Sequence, residues 1–264
     1  WTSSRRRAGS IFNITAGQTR PLRIQGVESP IERKCPMNFN EKHHAFISAC
    51  FYKELMERCP GNGEATFVLA TRRYGEQRGS RMAQRAIRDG RELDFAAYCA
   101  YGEWSYTEEH FLKGRHMEVV SKSPDYHYYV YECPWHDQYA EMNLIDGACI
   151  YCAHIDLSIA RGFNPDLTFE VRSTLHKDGR CDFVLKDAYL EEKGYTVDKS
   201  KTQMPFEYHC GHIFKTFSDI VKSIHGEKGR EICEKVAEEF GRAYGKDMAK
   251  VIISYEDVDF NVIP

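Results

Sequence analysis

The strongest constraint on the fold is a pair of hairpin signals separated by one helix-length segment. Residues 116–123 (HMEVVSKS) and 126–133 (YHYYVYEC) are short, rich in Val and Tyr, and divided by a Ser-Pro-Asp turn signal. Residues 166–175 (DLTFEVRSTL) and 181–187 (CDFVLKD) repeat the pattern around His176-Lys177-Asp178-Gly179-Arg180, where Asp-Gly supplies the turn. A helix of about 138–161, ended by Gly162 and Asn164-Pro165, lies between them. Two hairpins make an antiparallel sheet of about four strands, and such a sheet must bury a face against helices.

Those helices are legible on both sides. From Asn40, Phe46, Cys50, Phe51 and Leu55 recur at helical spacing until Cys59-Pro60-Gly61. Further helices are predicted at about 64–74, 78–89 and 93–112, and again at about 209–225 and 227–244, before a short strand or tail. Polar residues 188–203 read as a connection. The expected fold class is α+β: an antiparallel sheet covered by helices from the N- and C-terminal segments, not a doubly wound α/β fold. Residues 1–38, with Arg5, Arg6, Arg7, Arg20, Arg23, Arg33 and three prolines, read as a loose N-terminal arm, and 39–264 as a single domain.

Composition narrows the function. The 264 residues are 42% hydrophobic and carry a formal charge of -3, against the clustered basic footprint expected of a nucleic-acid binder. The longest apolar runs fall far short of the roughly 18–20 residues that span a bilayer. The start, WTSSRRRAGS, has a basic cluster with no apolar run behind it and does not read as a secretory signal. Ten cysteines, scattered through a chain too long to need staples, are expected to be reduced thiols in a cytoplasmic protein. The expected partner is a small-molecule substrate, with no nucleic acid and no membrane; self-association into a homo-oligomer is left open. Walker, dinucleotide-binding, Gly-x-Ser-x-Gly and His-Glu-x2-His motifs are all absent.

Within 78–89, Arg78, Arg81, Arg85 and Arg88 fall on one helix face, with Met82, Ala86 and Ile87 on another. Such a stripe could hold an anionic ligand, but a solvated face is the commoner meaning of this pattern and is the expectation here.

The central helix carries the chemistry. Ile145, Cys149, Cys152, Asp156 and Ile159 follow a four-three-four-three spacing and share a face, so Asp156 interrupts an apolar stripe. His154, Ser158 and Arg161 fall on a different face. An inward carboxylate costs several kcal/mol unless paired, hydrogen-bonded or protonated, so Asp156 serves either structure or proton transfer. Cys133-x2-His136, Cys149-x2-Cys152 and His209-Cys210-x-His212 have spacings a zinc site could use, but two matched Cys-x2-Cys pairs are absent. A metal therefore remains an alternative, and no ligand or cofactor is assigned. His209 and His212, at a helix start, could instead bind a substrate carboxylate.

At this central block the chain resembles a known family. Cys133-Pro134-Trp135-His136, Cys152-x3-Asp156, Gly162-Phe163-Asn164-Pro165, Thr174-Leu175 and Gly179-Arg180-Cys181-Asp182-Phe183 together resemble the L-2-amino-thiazoline-4-carboxylic acid hydrolases. Arg78-Gly79-Ser80-Arg81-Met82-Ala83 and Tyr101-Gly102-Glu103-Trp104 extend the likeness upstream. The resemblance implies hydrolysis at a C=N bond of a small cyclic amidine or isothiourea, giving an N-carbamoyl product. Family members often carry a second Cys where this chain has His136.

On that reading Cys181, Cys152, Asp156, His136 and Cys133 are the expected catalytic set, converging at one end of the sheet. Tyr128, Tyr131 and Trp135 would line the pocket. Asp156 would hold the amidinium and exchange a proton. The attacking species would be a thiolate, Cys181 slightly ahead of Cys152, or a water activated by His136 or Asp156. The contrasting expectation is a non-enzymatic small-molecule-binding or sensor domain, because the cysteine-bearing hairpin and helix also resemble the vinyl-reductase-like domains.

Overall fold

The computed structural model describes residues 38–104, 117–193 and 196–264. The N-terminal arm and the second half of the helix expected at 93–112 lie outside these residues. Asn40 opens helix α1 (Glu41–Arg58): its side chain accepts from the backbone N–H groups of Lys42 and His43, and His43 returns a bond to the cap. After a tight turn, α2 (Gly63–Arg88) runs for 26 residues without a break. The sequence divides this stretch near Gly75, and the structure joins it, for a reason that lies in packing. Asp94 caps a short α3 (Phe95–Ala100).

Strands β1 (Met117–Ser121) and β2 (Tyr126–Val130) form the first antiparallel hairpin. Strands β3 (Phe169–Ser173) and β4 (Cys181–Leu185) form the second, and β4 pairs antiparallel with β2. The sheet order is β1-β2-β4-β3, a four-stranded antiparallel sheet in the expected α+β fold. In this register Tyr128 lies opposite Phe183 and Val130 opposite Cys181. The pleat therefore turns Tyr126, Tyr128, Val130, Cys181 and Phe183 to one face, packed with Phe95, Ala160 and Phe169.

The connection between the hairpins is two helices, not one. Helix α4 (Pro134–Glu141) starts with Pro at its first position, and α5 (Ile145–Phe163) follows after Asn143 adopts a left-handed φ of 56°. The β3–β4 connection is also more than a turn: Leu175–Asp178 forms a one-turn helix, α6, ended by Gly179 at φ 70°. A short α7 (Leu190–Lys193) precedes the last three helices, α8 (Phe206–His225), α9 (Glu227–Tyr244) and α10 (Lys246–Ile253). The final strand or tail of the sequence reading is thus a helix followed by an irregular segment that buries Phe260.

Among the described residues the most extensive contact between two elements is that of α2 with α5. It is made by backbone. A Cβ at Gly79 would fall on the carbonyl oxygen of Ile159, one at Gly162 on that of Glu76, and one at Gly75 would lie 2.7 Å from the Ser158 Cβ. Glycine's cost in a helix interior, about 1 kcal/mol relative to alanine, is accepted here because nothing larger fits. Gly79→Ala is expected to destabilise the fold by roughly 1–3 kcal/mol, as overpacking of a dense interior does. Gly61→Ala, whose Cβ would meet nothing within 4 Å, is the control. Urea unfolding of both variants checks this, and a Gly79→Ala cost no larger than that of Gly61→Ala would mean that the helices are not held at backbone contact.

Candidate active site

Helix α5 presents Cys152 and Asp156 one turn apart toward the sheet, where they meet the ends of β2 and β4. Cys152 Sγ lies 3.3 Å from His176 Nε2, and His176 Nδ1 lies 2.8 Å from His136 Nδ1. His176 sits on α6, in the β3–β4 connection, and His136 on the first turn of α4. The backbone N–H of Leu175 donates to Cys181 Sγ at 3.3 Å. Cys133 stands at the N-cap position of α4 without a side-chain cap hydrogen bond, near enough to the Trp135 and His136 N–H groups for them to favour its thiolate slightly. Cys133, Cys181 and Asp156 all lie close enough to Cys152 to oppose its ionisation. The structure therefore brings together Cys133, His136, Cys152, Asp156 and Cys181, with Tyr128 beside Asp156 on the inner face of β2.

The remaining expected residues separate. Tyr131 turns away: its hydroxyl donates to Glu118 at 2.8 Å, on the side of the sheet where Arg180 stacks over Tyr129. Trp135 is buried, donates Nε1–H to His44 Nδ1 at 3.2 Å and packs against Trp104. His209 and His212 are fully buried on α8, outside the group formed by Cys133, Cys152 and Cys181. His209 Nε2 contacts the Glu103 carbonyl at 3.3 Å, while His212 sits between Arg81 and Gln77. Burial holds both imidazoles well below their ordinary pKa, so they are neutral and poor receptors for a carboxylate. The zinc spacings do not converge: among the described residues no group of three or more His, Cys, Asp or Glu is placed to hold a metal ion.

Electrostatics set the chemical states. Cys152 and Asp156 keep some exposed surface, yet both are recessed enough for desolvation to dominate. Burial raises Asp156 to about 6, with the charge of Arg78 partly offsetting it. Burial also pushes Cys133 up to about 11, Cys181 up to about 12 and Cys152 well above its usual value. Burial, then the neighbouring His136, lowers His176 to about 4. At neutral pH the site thus holds neutral thiols, a neutral His176 and a carboxylate poised to take a proton.

Sequence reasoning missed two participants. His176 lay in a predicted turn, and only the helical shape of that turn aims it at Cys152. The arginine stripe was expected to be solvated, but Arg78, Arg81 and Arg85 are 4%, 0% and 3% exposed. The packing of α2 against both α5 and α8 leaves these three no water, whereas Arg88, at the end of the helix, is exposed as expected and pairs with Asp89. Arg81 makes a two-pronged contact with the fully buried Glu103 at 2.9 and 2.6 Å, Arg85 donates to the same carboxylate at 2.7 Å, and Arg81 also reaches the Phe260 carbonyl. Arg78 instead stacks over Trp104, its Cζ 3.6 Å from the ring centroid.

Two substitutions test this arrangement. A carboxyl group whose pKa is raised on folding loses stability as pH rises from the unfolded value near 4 through about 6, and the deficit is complete above that. Asp156→Asn removes the deficit and is expected to stabilise the protein by roughly 1–3 kcal/mol at pH 8 and by little at pH 4. Thermal unfolding across that range reads the difference, and equal gains at both pH values would refute it. Glu103→Gln leaves three buried guanidiniums without their anion and is expected to cost about 3–5 kcal/mol in urea unfolding; a loss below 1 kcal/mol would show that the carboxylate does not hold them.

Comparison with known proteins agrees with the part of the chain that builds this site. No curated protein and no solved structure gives a significant match. The family model described as L-2-amino-thiazoline-4-carboxylic acid hydrolase matches residues 39–185, from the start of α1 to the end of β4. That span contains Arg78, Glu103, Trp104, Cys133, His136, Cys152, Asp156, His176 and Cys181, and excludes His209 and His212. Since it covers more than half of the sequence, the chain belongs to the L-2-amino-thiazoline-4-carboxylic acid hydrolase family.

Proposed function

We propose that this protein is a hydrolase that opens a small cyclic amidine or isothiourea in a reducing, cytoplasmic setting, with Cys152 as the nucleophile. The observation that carries this reading is the Cys152–His176–His136 line: a thiol, a neutral imidazole 3.3 Å from it and a second imidazole 2.8 Å behind. A nucleophile, a base and a group that orients the base are the recurring elements of covalent catalysis.

Because burial opposes a standing thiolate, the thiol has to be deprotonated as it attacks. His176 is placed for that task, its Nε2 facing the thiol and free to accept a proton when Nδ1–H donates to His136; at about 4 it is a weak base, so the proton leaves sulfur only as the new C–S bond forms. Among the described residues Cys181 has no such neighbour, and its sulfur accepts from the Leu175 N–H, so the proposal puts Cys152 ahead of Cys181. Asp156, anionic above about pH 6, holds the substrate's amidinium one helical turn away.

The steps balance. The Cys152 thiol gives its proton to His176 Nε2, and the sulfur adds to the ring carbon between the two heteroatoms. Collapse expels the ring sulfur, which takes the proton from His176 and leaves an isothiourea on Cys152. Water then adds to that carbon and displaces Cys152, giving the N-carbamoyl thiol. Expulsion of the ring nitrogen in the first collapse would instead give an S-carbamoyl amine.

The test is turnover of 2-amino-thiazoline-4-carboxylate by the reduced protein, with and without chelator, read by mass and thiol release. Cys152→Ser and His176→Ala are each expected to lose about 10²–10⁴-fold in kcat, and Cys181→Ser far less. In the wild type, kcat/KM is expected to fall below about pH 6 as Asp156 is protonated. Rapid turnover by Cys152→Ser would overturn the nucleophile, and activity abolished by chelator would replace it with a metal-activated water. Ligand binding without turnover of any cyclic amidine would instead leave a binding domain.

A further inference from the structure

Among the described residues Arg78 is a buried cation with no hydrogen-bond acceptor at its Nε and one distant carboxylate. Its Nε is shielded from solvent and makes no hydrogen bond, and the whole residue is 4% exposed. Among the described residues the one carboxylate within ion-pair reach is Glu103, whose Oε2 is 3.9 Å from Nε. Both Glu103 oxygens are already taken: Oε1 by Arg81 and Arg85, Oε2 by Arg81. Three buried guanidiniums therefore face one carboxylate. The surrounding imidazoles of His44, His209 and His212 add no negative charge. An uncompensated charge at such depth costs several kcal/mol, which stacking on Trp104 offsets only in part.

The guanidinium belongs to the stretch of α2, between Gly75 and Gly79, that meets the α5 backbone at Ile155 and Ile159, on either side of Asp156. The Arg78 charge is felt by Asp156, by Tyr98 and by Tyr151, whose buried hydroxyl also lacks a partner. Tyr151 in turn lies near Cys152 on the same helix. Arg78 and Asp156 are not in ion-pair contact, so a cation on α2 and an acid on α5, one turn from Cys152, stand apart.

We propose that Arg78, assisted by the Tyr151 hydroxyl, is the receptor for a carboxylate on the substrate, so that the site selects zwitterionic cyclic amidine acids over neutral cyclic amidines. This rests on the hydrolase reading above for the identity of the ring, but the anion receptor itself does not. The planar fork of arginine matches a carboxylate, and a bond from a buried charged donor strongly rejects an isostere that cannot take the charge.

The experiment has two arms. In the first, 2-amino-thiazoline-4-carboxylate and its 4-carboxamide are compared as substrates of the wild type. The acid is expected to win by about 10- to 100-fold in kcat/KM, and Arg78→Met to reduce that ratio to within about threefold. In the second, calorimetry follows binding of thiazolidine-4-carboxylate and its carboxamide, rings that lack the C=N bond and cannot be opened. The same preference is expected in Kd. Equal kcat/KM for acid and amide would overturn the carboxylate receptor and leave the hydrolase standing. Selective binding of thiazolidine-4-carboxylate without turnover of either substrate would overturn the hydrolase and keep the receptor. Because the wild-type comparison changes only the ligand, the proposal stays refutable even if Arg78→Met fails to fold.

Discussion

One carboxylate organises the interior. Glu103 is fully buried and accepts from Arg81 and Arg85 on α2, while its own backbone carbonyl accepts from the Met204 N–H and contacts His209 on α8. Arg81 extends the network to the C-terminal segment through Phe260. The long helix, the segment after α3, the last helical layer and the chain end are thus joined at one point. Trp104 follows Glu103 directly, so the same anchor fixes the ring on which Arg78 lies and against which Trp135 packs. Trp135 belongs to the turn of helix that follows Cys133. The ionic centre and the thiol cluster are therefore one construction, linked by two indoles.

This arrangement explains why the thiols are neutral where an enzyme of thiol chemistry commonly holds a thiolate. Desolvation outweighs every other influence on Cys133, Cys152 and Cys181. Helix N–H groups near Cys133 recover part of the loss but do not reverse it. A reactive anion is then formed only when a substrate brings its own charge and a base stands ready, which protects the thiols from casual oxidation and alkylation.

Much of the frame is readable in the sequence because it depends on local signals. The Ser-Pro-Asp and Asp-Gly turns, the alternation of Tyr126, Tyr128 and Val130, and the four-three spacing through Cys152 and Asp156 each report a local geometry, and the sheet follows from them. The errors have a common cause, tertiary packing overriding a pattern. The arginine stripe looks solvated because one amphipathic face is normally enough, yet α2 is enclosed on two sides. His209 and His212 look like a ligand pair by spacing, but they face Arg81 and Glu103, which no local signal places there. The break at Asn143 and the one-turn helix bearing His176 are single-residue backbone events, below the resolution of periodicity.

The glycine crossing of α2 and α5 has a consequence for how such a site can diverge. Gly79 adjoins Arg78, and Gly75 and Gly162 bracket the part of the crossing level with Asp156, so the spacing of cation and acid is set by main chain against main chain. A ruler of that kind cannot be lengthened by exchanging one side chain for another; any substitution at its marks pries the helices apart. Diversification toward longer or bulkier rings must then come from the opposite wall, where His176 rides on a single helical turn between two strands and Tyr128 projects from the sheet. The molecule has one rigid jaw and one that can be recut.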